Sequence, residues 1–303
     1  MTEVPFHSPV LVKEAGSFLV TDREGVYVDG TVGGGGHAVE VCAQLRGSGK
    51  MFGFDLDESA LRFASHRLTE FRDRVTLVHG NFTEVRANLE RRKIHRITGA
   101  LLDLGVSSFQ LDAPGRGFSF RTDTRIDMRM DLRQSTTGWD VVNTYAERDL
   151  SHLIKEFGEE RYAHRIARRI VQRRPVESTG QLRLAVESVV GPRYLTKSLA
   201  RIFQAIRIEV NQELTNLSHA LEDLADMMLP GGHMVVISYH SLEDRLVKKF
   251  LRKRASPEFD ASAGASALRI LTKRPVIASD SEVEQNPRAR SAKLRAAERR
   301  EDR

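Results

Sequence analysis

Cysteine is almost absent from the 303 residues: there is one, Cys42. No internal disulfide can form, and with no His or Cys partner at ligand spacing Cys42 is expected to pack in a core, with no metal site implied. Long apolar runs are absent too. Nothing approaches the roughly 20 apolar residues that a membrane-crossing helix needs. Met1 to Val12 carries Glu3 and two prolines where a signal peptide would carry basic residues and then an apolar stretch. A cytoplasmic location is expected. Internal repeats are missing as well, which sets aside solenoids and propellers.

What is present is an ordinary soluble composition with a basic balance. Hydrophobic residues make up 40% and charged residues 29%, so a packed core is expected rather than overall disorder. The length suits one large domain, or a core domain with a second, smaller unit. Net charge +6, with an isoelectric point near 9.6, comes largely from arginine. That points to a polyanionic partner or to a merely basic soluble protein.

The most informative stretch runs from Val26-Tyr27-Val28-Asp29-Gly30-Thr31 into Val32-Gly33-Gly34-Gly35-Gly36-His37, with Phe52-Gly53-Phe54-Asp55-Leu56-Asp57 about twenty residues on. A β-branched and aromatic run reads as a strand, the glycines let the backbone turn tightly beside a ligand, and Asp55 ends a second strand where an adenosine ribose would lie. A dinucleotide site uses glycines and a delayed acid in much the same way. Here, though, Asp29 precedes the turn and the glycines form one block. A carboxylate there repels a pyrophosphate but suits the amino group and sulfonium of S-adenosylmethionine. That favours this cofactor over a dinucleotide or a purely structural loop, with Asp29, Gly33, Gly35, Gly36, His37 and Asp55 as its candidate contacts.

Strand-like runs recur at Val26–Asp29, Lys50–Asp55, Val75–Gly80 and Ala100–Leu104 with helical patterns between them, as in a parallel sheet built from βαβ units. From Gln110 to Asn211 no strand pattern occurs, and then Gly231 to Ser238 resumes with a turn and an apolar strand. The expectation is an α/β fold: a doubly wound sheet over 1–109 and 215–303, interrupted by an α-helical domain at 110–214. Leu268–Ile277 reads as a further strand, and the end of the chain as a basic, helix-like tail.

Asp103 ends the fourth strand in Leu101-Leu102-Asp103-Leu104-Gly105-Val106-Ser107-Ser108. Ligands of open α/β sheets lie outside the carboxyl ends of the strands, so Asp29, Asp55 and Asp103 should point to one pocket. An exocyclic base amine has its lone pair delocalised into the ring, and an acceptor for its hydrogens would aim that lone pair and stabilise developing positive charge. Asp103 and the Leu104–Ser108 loop, with Ser107 and Ser108, are the candidates. In Ser238-Tyr239-His240-Ser241-Leu242-Glu243-Asp244-Arg245, Ser241 and Asp244 have the spacing of a helix capping box. Tyr239 and His240 would still face the crevice, suited to a base taken out of its stack. Arg161, Arg165 and Arg168 or Arg169 share a helix face, with Ile166 and Ile170 on another. That face is either solvated or phosphate-binding, and Arg173, Arg174, Arg193, Lys197, Arg201 and Arg207 add charge to the same insert.

With these residues in place the sequence closely resembles the bacterial RsmH (MraW) family, almost end to end. The likeness rests on Asp29-Gly30-Thr31 through Gly35-Gly36-His37, on Leu102 to Ser108, on Arg116-Gly117-Phe118-Ser119-Phe120 and on Asp127-Met128-Arg129-Met130-Asp131. It continues through Phe203 to Ile208, His240 to Arg245 and Asn286 to Ser291. The resemblance implies a Rossmann-like class I S-adenosylmethionine-dependent methyltransferase. The implied reaction is methylation of the exocyclic N(4) amine of a cytidine in the decoding centre of 16S ribosomal RNA, with the small ribosomal subunit as partner and a homodimer left open. It also implies cofactor contacts at Gly35, Gly36, His37, Asp55, Phe82, Asp103 and Gln110. Departures from the family pattern are Phe109, Tyr239 and Thr122 to Arg125. Competing readings are methylation of another nucleic-acid base, a dinucleotide oxidoreductase, and a non-catalytic RNA-binding assembly factor, against which the intact Asp55 and Asp103 speak.

Overall fold

Short β-branched and aromatic runs form one seven-stranded sheet in the computed structural model, which describes residues 9–106, 111, 115–260 and 267–301. The strands are β1 (Val26–Asp29), β2 (Lys50–Asp55), β3 (Val75–His79), β4 (Ile97–Asp103), β5 (Met228–Ser238), β6 (Leu268–Ile270) and β7 (Lys293–Arg299). Their spatial order is β3-β2-β1-β4-β5-β7-β6, with β1 to β5 parallel and β7 antiparallel to both of its neighbours. This is a Rossmann-like α/β sheet. The order reverses between β1 and β4, the point at which such sheets open a crevice at their carboxyl ends.

Alternation along each strand explains why both faces are covered. Tyr27, Met51, Leu101 and Val235 belong to a core with Leu19, Val41, Cys42 and Leu61. Their neighbours Val28, Phe52, Leu102 and Val236 belong to another core with Leu217, Leu221, Leu224 and Val247. Helices Val12–Leu19, Gly36–Gln44 and Glu58–Arg67 therefore supply one layer, and Glu213–Met227 and Ser241–Arg254 the other. Cys42 is buried beside Met51, and burial pushes its thiol up to about 12. No helix among the described residues is long and apolar enough to cross a membrane.

The chain divides into two compact units, Met1–Gly105 with Leu214–Arg303, and Val106–Glu213. The second holds helices Gly138–Thr144, Glu147–Gly158, Ala163–Gln172, Thr179–Glu187 and Pro192–Asn211. They enclose their own core of Leu150, Ile154, Ile166, Ile170, Ile202 and Ile206. In the motif Asp127–Asp131, Asp127 grips Arg129 at 2.8 Å, while Asn211 accepts from the Met130 amide at 2.7 Å and donates to the Met128 carbonyl at 2.8 Å. That motif is a clasp between a loop and the longest helix.

Two expectations at the C-terminus are corrected. The basic tail is not a helix: residues 293–299 form β7, inserted between β5 and β6. Lys, Leu, Arg, Ala and Glu favour helix locally, but Leu294, Ala296 and Ala297 are fully buried, and pairing with β5 outweighs propensity differences of a few tenths of a kcal/mol per residue. Of Leu268–Ile277 only Leu268–Ile270 is a strand, with Val276 making an isolated bridge to Leu294.

Candidate active site

The site grows from the carboxyl ends of four adjacent strands. Asp29 ends β1 and is 1% exposed. Its Oδ1 accepts from the Thr31 amide at 3.0 Å, whereas Oδ2 has no hydrogen-bond partner among the described residues. Burial pushes this carboxyl up to about 7, against the opposing pull of His37. The chain then turns through the glycines. Gly35, at φ 78°, precedes helix Gly36–Gln44 in a left-handed conformation that a side chain would strain, and so delivers His37 to the first turn of that helix.

Asp55 ends β2, where its Oδ2 accepts from the Gly33 amide and its Oδ1 from the Asp57 amide, both at 2.8 Å. The bond to Gly33 ties the glycine turn to the second strand. Burial raises Asp55 to about 6 despite these donors. Phe82, just beyond β3, lies so close to Gly30 that a Cβ there would stand 2.9 Å from it.

Asp103 ends β4 and is held from three sides. Its amide donates to Thr31 Oγ1 at 2.6 Å, its Oδ1 accepts from the Tyr239 hydroxyl at 2.9 Å, and its Oδ2 lies 3.3 Å from His37 Nε2. The His37 contact is within ion-pair range but poorly aligned for a hydrogen bond. Burial opposes charge on His37, yet Asp103 and Asp29 together outweigh it and hold the imidazole above its ordinary pKa. Burial, then the Asp103 charge, raises the Tyr239 hydroxyl far out of its usual range, so Tyr239 is a hydrogen donor to Asp103 and not a base. Gly105, at φ 97°, lets the chain leave β4 with the Tyr239 ring against it.

The turn after β5 corrects the expected cap. Ser241 does not cap helix Ser241–Arg254. His240 does, accepting from the Glu243 amide at 3.3 Å, while Glu243 accepts from the amides of Tyr239 at 2.8 Å and His240 at 3.2 Å. Asp244, the residue expected to complete the box, pairs instead with Arg295 at 2.7 Å and Lys293 at 3.3 Å on β7. His240 thereby gives its Nδ1 to the backbone, while its Nε2 stands 3.1 Å from Glu243 Oε1 without the alignment of a hydrogen bond.

Asp29, His37, Asp55, Asp103 and Tyr239 are thus brought together with the glycine turn, and Phe82 stands beside it. Thr31 and Glu243 were missed by sequence reasoning. Glu243 supplies the acidic third position of a capping box, but His240 is not a residue type favoured at the cap, so the sequence pointed to Ser241; nothing local marks Thr31. Ser107, Ser108, Phe109 and Gln110 lie outside the described residues.

In the insert, Ile166 and Ile170 face the core, while Arg161, Arg165 and Arg168 are exposed and Arg169 is half-buried. Arg168 lies 3.5 Å from Glu147. Arg207 is different: it is 14% exposed and clamps Glu213 through two bonds of 2.8 and 2.9 Å.

The reversed sheet order, the glycine turn and the acids that end β1, β2 and β4 define an S-adenosylmethionine-dependent methyltransferase. The chain belongs to the MraW methylase family, which it matches over residues 5–300. It is 47% identical over 298 residues to the ribosomal RNA small subunit methyltransferase H of Kosmotoga olearia, with 97% of each chain covered. It is 46% identical over 305 residues to the protein of that name from Carboxydothermus hydrogenoformans, again with 97% of each covered.

Proposed function

We propose that this chain methylates the exocyclic N(4) amine of a cytidine in the decoding centre of 16S ribosomal RNA, in the cytoplasm and on the small ribosomal subunit. The observation that carries the chemistry is Asp103, whose carboxylate is oriented by Tyr239 and His37 at the mouth of the glycine turn. The relatives' names and the exposed arginines of the insert support ribosomal RNA as the substrate.

The residues fit the cofactor. Asp29 Oδ2 is a buried acceptor without a partner among the described residues, which suits the cationic end of S-adenosylmethionine, and each Asp55 oxygen keeps a lone pair for a ribose hydroxyl. Phe82, which packs beside Gly30, would meet the adenine, and Gly35, Gly36 and His37 would line the cofactor along the turn. When bound, S-adenosylmethionine supplies an electrophilic methyl carbon on a sulfonium. The chain's part is then positioning: it lines up the amine, excludes water, and takes up the hydrogens whose bonds weaken as nitrogen develops positive charge. Asp103 is assigned the last task, with Tyr239 and His37 as positioning residues.

Mass-spectrometric mapping of modified nucleosides in small-subunit RNA from cells with and without this gene tests the reading. The expected result is loss of one N(4)-methylated cytidine; an unchanged map overturns it. The insert gives a second expectation. Arg165→Ala should weaken RNA binding similarly across unrelated sequences and make the salt slope shallower by about one. Arg207→Ala should leave that slope alone and lower the melting temperature, because Glu213 would lose a largely buried partner at a cost on the order of 3 kcal/mol. Binding titrations at several salt concentrations and thermal melts read both; superimposable salt plots for Arg165→Ala and wild type return that face to solvent.

A further inference from the structure

The insert holds an array of arginines and tyrosines that the chemistry of methyl transfer does not use. The Arg161 guanidinium lies 4.5 Å from the Tyr162 ring centroid and 4.7 Å from that of Tyr194. Arg165 lies 5.7 Å from the Tyr162 ring, and Arg193 5.5 Å from the Tyr194 ring. The contacts run Arg165, Tyr162, Arg161, Tyr194, Arg193, alternating cation and ring.

Charge pairing separates these arginines from their neighbours. Arg168, Arg201 and Arg207 each have a carboxylate, from Glu147, Glu160 and Glu213. Among the described residues none lies within 4.0 Å of Arg161, Arg165 or Arg193. Three exposed cations gathered around two rings repel one another, and a polyanion relieves that repulsion.

The array is also held in place. Glu160, buried at 2% exposure, accepts from the Tyr162 amide at 3.0 Å and from the Ser198 hydroxyl at 2.8 Å. Ser198 is one turn beyond Tyr194 on helix Pro192–Asn211, so a single buried acid fixes the turn carrying Arg161 and Tyr162 to the helix carrying Arg193 and Tyr194. Tyr194 remains 43% exposed. A base can take the place of a guanidinium on this exposed ring while the displaced arginine moves to a flanking phosphate, which suits an unpaired nucleobase and not the already stacked bases of a duplex.

We propose that this array is a stacking platform for single-stranded RNA, with a base on Tyr194 and the flanking phosphates on Arg193 and Arg161 or Arg165. The proposal rests on RNA being the substrate and adds that the segment held by the insert is unpaired.

Binding of the full-length protein to a short fluorescent oligouridylate, and to an abasic oligonucleotide of equal length and charge, tests it. Tyr194→Ala should weaken binding of the base-bearing strand about tenfold or more, leave the abasic strand unchanged, and keep the wild-type melting temperature. Tyr194→Phe should restore binding, since it keeps the ring. Equal losses for the two strands would reduce the array to a charge patch. No loss for either, or no binding of oligouridylate by the wild type, would overturn the platform outright. Methylation of small subunits assayed on the same preparations separates the two readings. Base-dependent binding without methyl transfer would remove the proposed activity and keep the platform; methyl transfer without a base-dependent loss would do the reverse.

Discussion

Asp103→Asn should slow single-turnover methyl transfer at least about a hundredfold, the scale seen when one electrostatic stabiliser is lost. The substitution keeps size and one acceptor oxygen but removes the charge that favours a developing ammonium, so the transition state suffers more than the bound ground state. It also unbalances a network. Tyr239 donates 2.9 Å to one oxygen and His37 stands 3.3 Å from the other, and an amide offers only one oxygen to these two. Tyr239→Phe should therefore reproduce part of the loss in rate with little loss of cofactor affinity, as expected of a residue acting through Asp103. Rates measured at saturating cofactor, with affinities on the same preparation, decide the matter. Full rate at saturation would reduce Asp103 to a cofactor ligand and move the amine-orienting role to Ser107, Ser108 or His240.

Cofactor affinity should rise with pH. Burial lifts Asp29 to about 7 and Asp55 to about 6, and both must be charged to meet a cation and two hydroxyl donors. For Asp55 alone, lowering the pH to one unit below its pKa leaves about a tenth of the carboxyl charged and weakens binding about tenfold. Asp55→Ala should cost about tenfold or more at higher pH, since charge-assisted bonds contribute roughly 1.5–3 kcal/mol each, and should flatten the lower part of the profile. Stability moves the opposite way. A carboxyl whose folded pKa is raised holds its proton more tightly when folded, so stability is lost as pH rises from 3.8 to about 7 for Asp29. That gap corresponds to on the order of 4 kcal/mol. Asp29→Asn should therefore melt at a higher temperature than the cofactor-free wild type above pH 7 while binding S-adenosylhomocysteine more weakly. Calorimetric titrations across pH, with melts of both proteins, read all of this; a flat affinity profile contradicts the assignment of both acids.

The acids were legible because each follows an apolar strand run, and parallel strands send their carboxyl ends to one edge of the sheet. Asp29, Asp55 and Asp103 could thus be placed together without any contact being known. Tyr239 was legible as a residue past the fifth strand, but its bond to Asp103 joins residues 136 positions apart. The helix cap shows how such distance decides local detail. His240-x-x-Glu243 and Ser241-x-x-Asp244 satisfy the same spacing, and Arg295 and Lys293 decide between them by drawing Asp244 to β7. The same strand overrode the helical composition of the tail.

The alternation of strands and helices, the glycine turn, the strand-end acids and the excess of arginine can be read from the order of residues, because they depend on composition, side-chain period and backbone freedom over a few positions. Which arginines are unpaired, which turn residue caps, and which side chains grip Asp103 depend instead on how distant segments pack. The pairings of Arg207 with Glu213, Asp244 with Arg295 and Tyr239 with Asp103 form when packing carries charged and polar groups out of water and each must then find a partner.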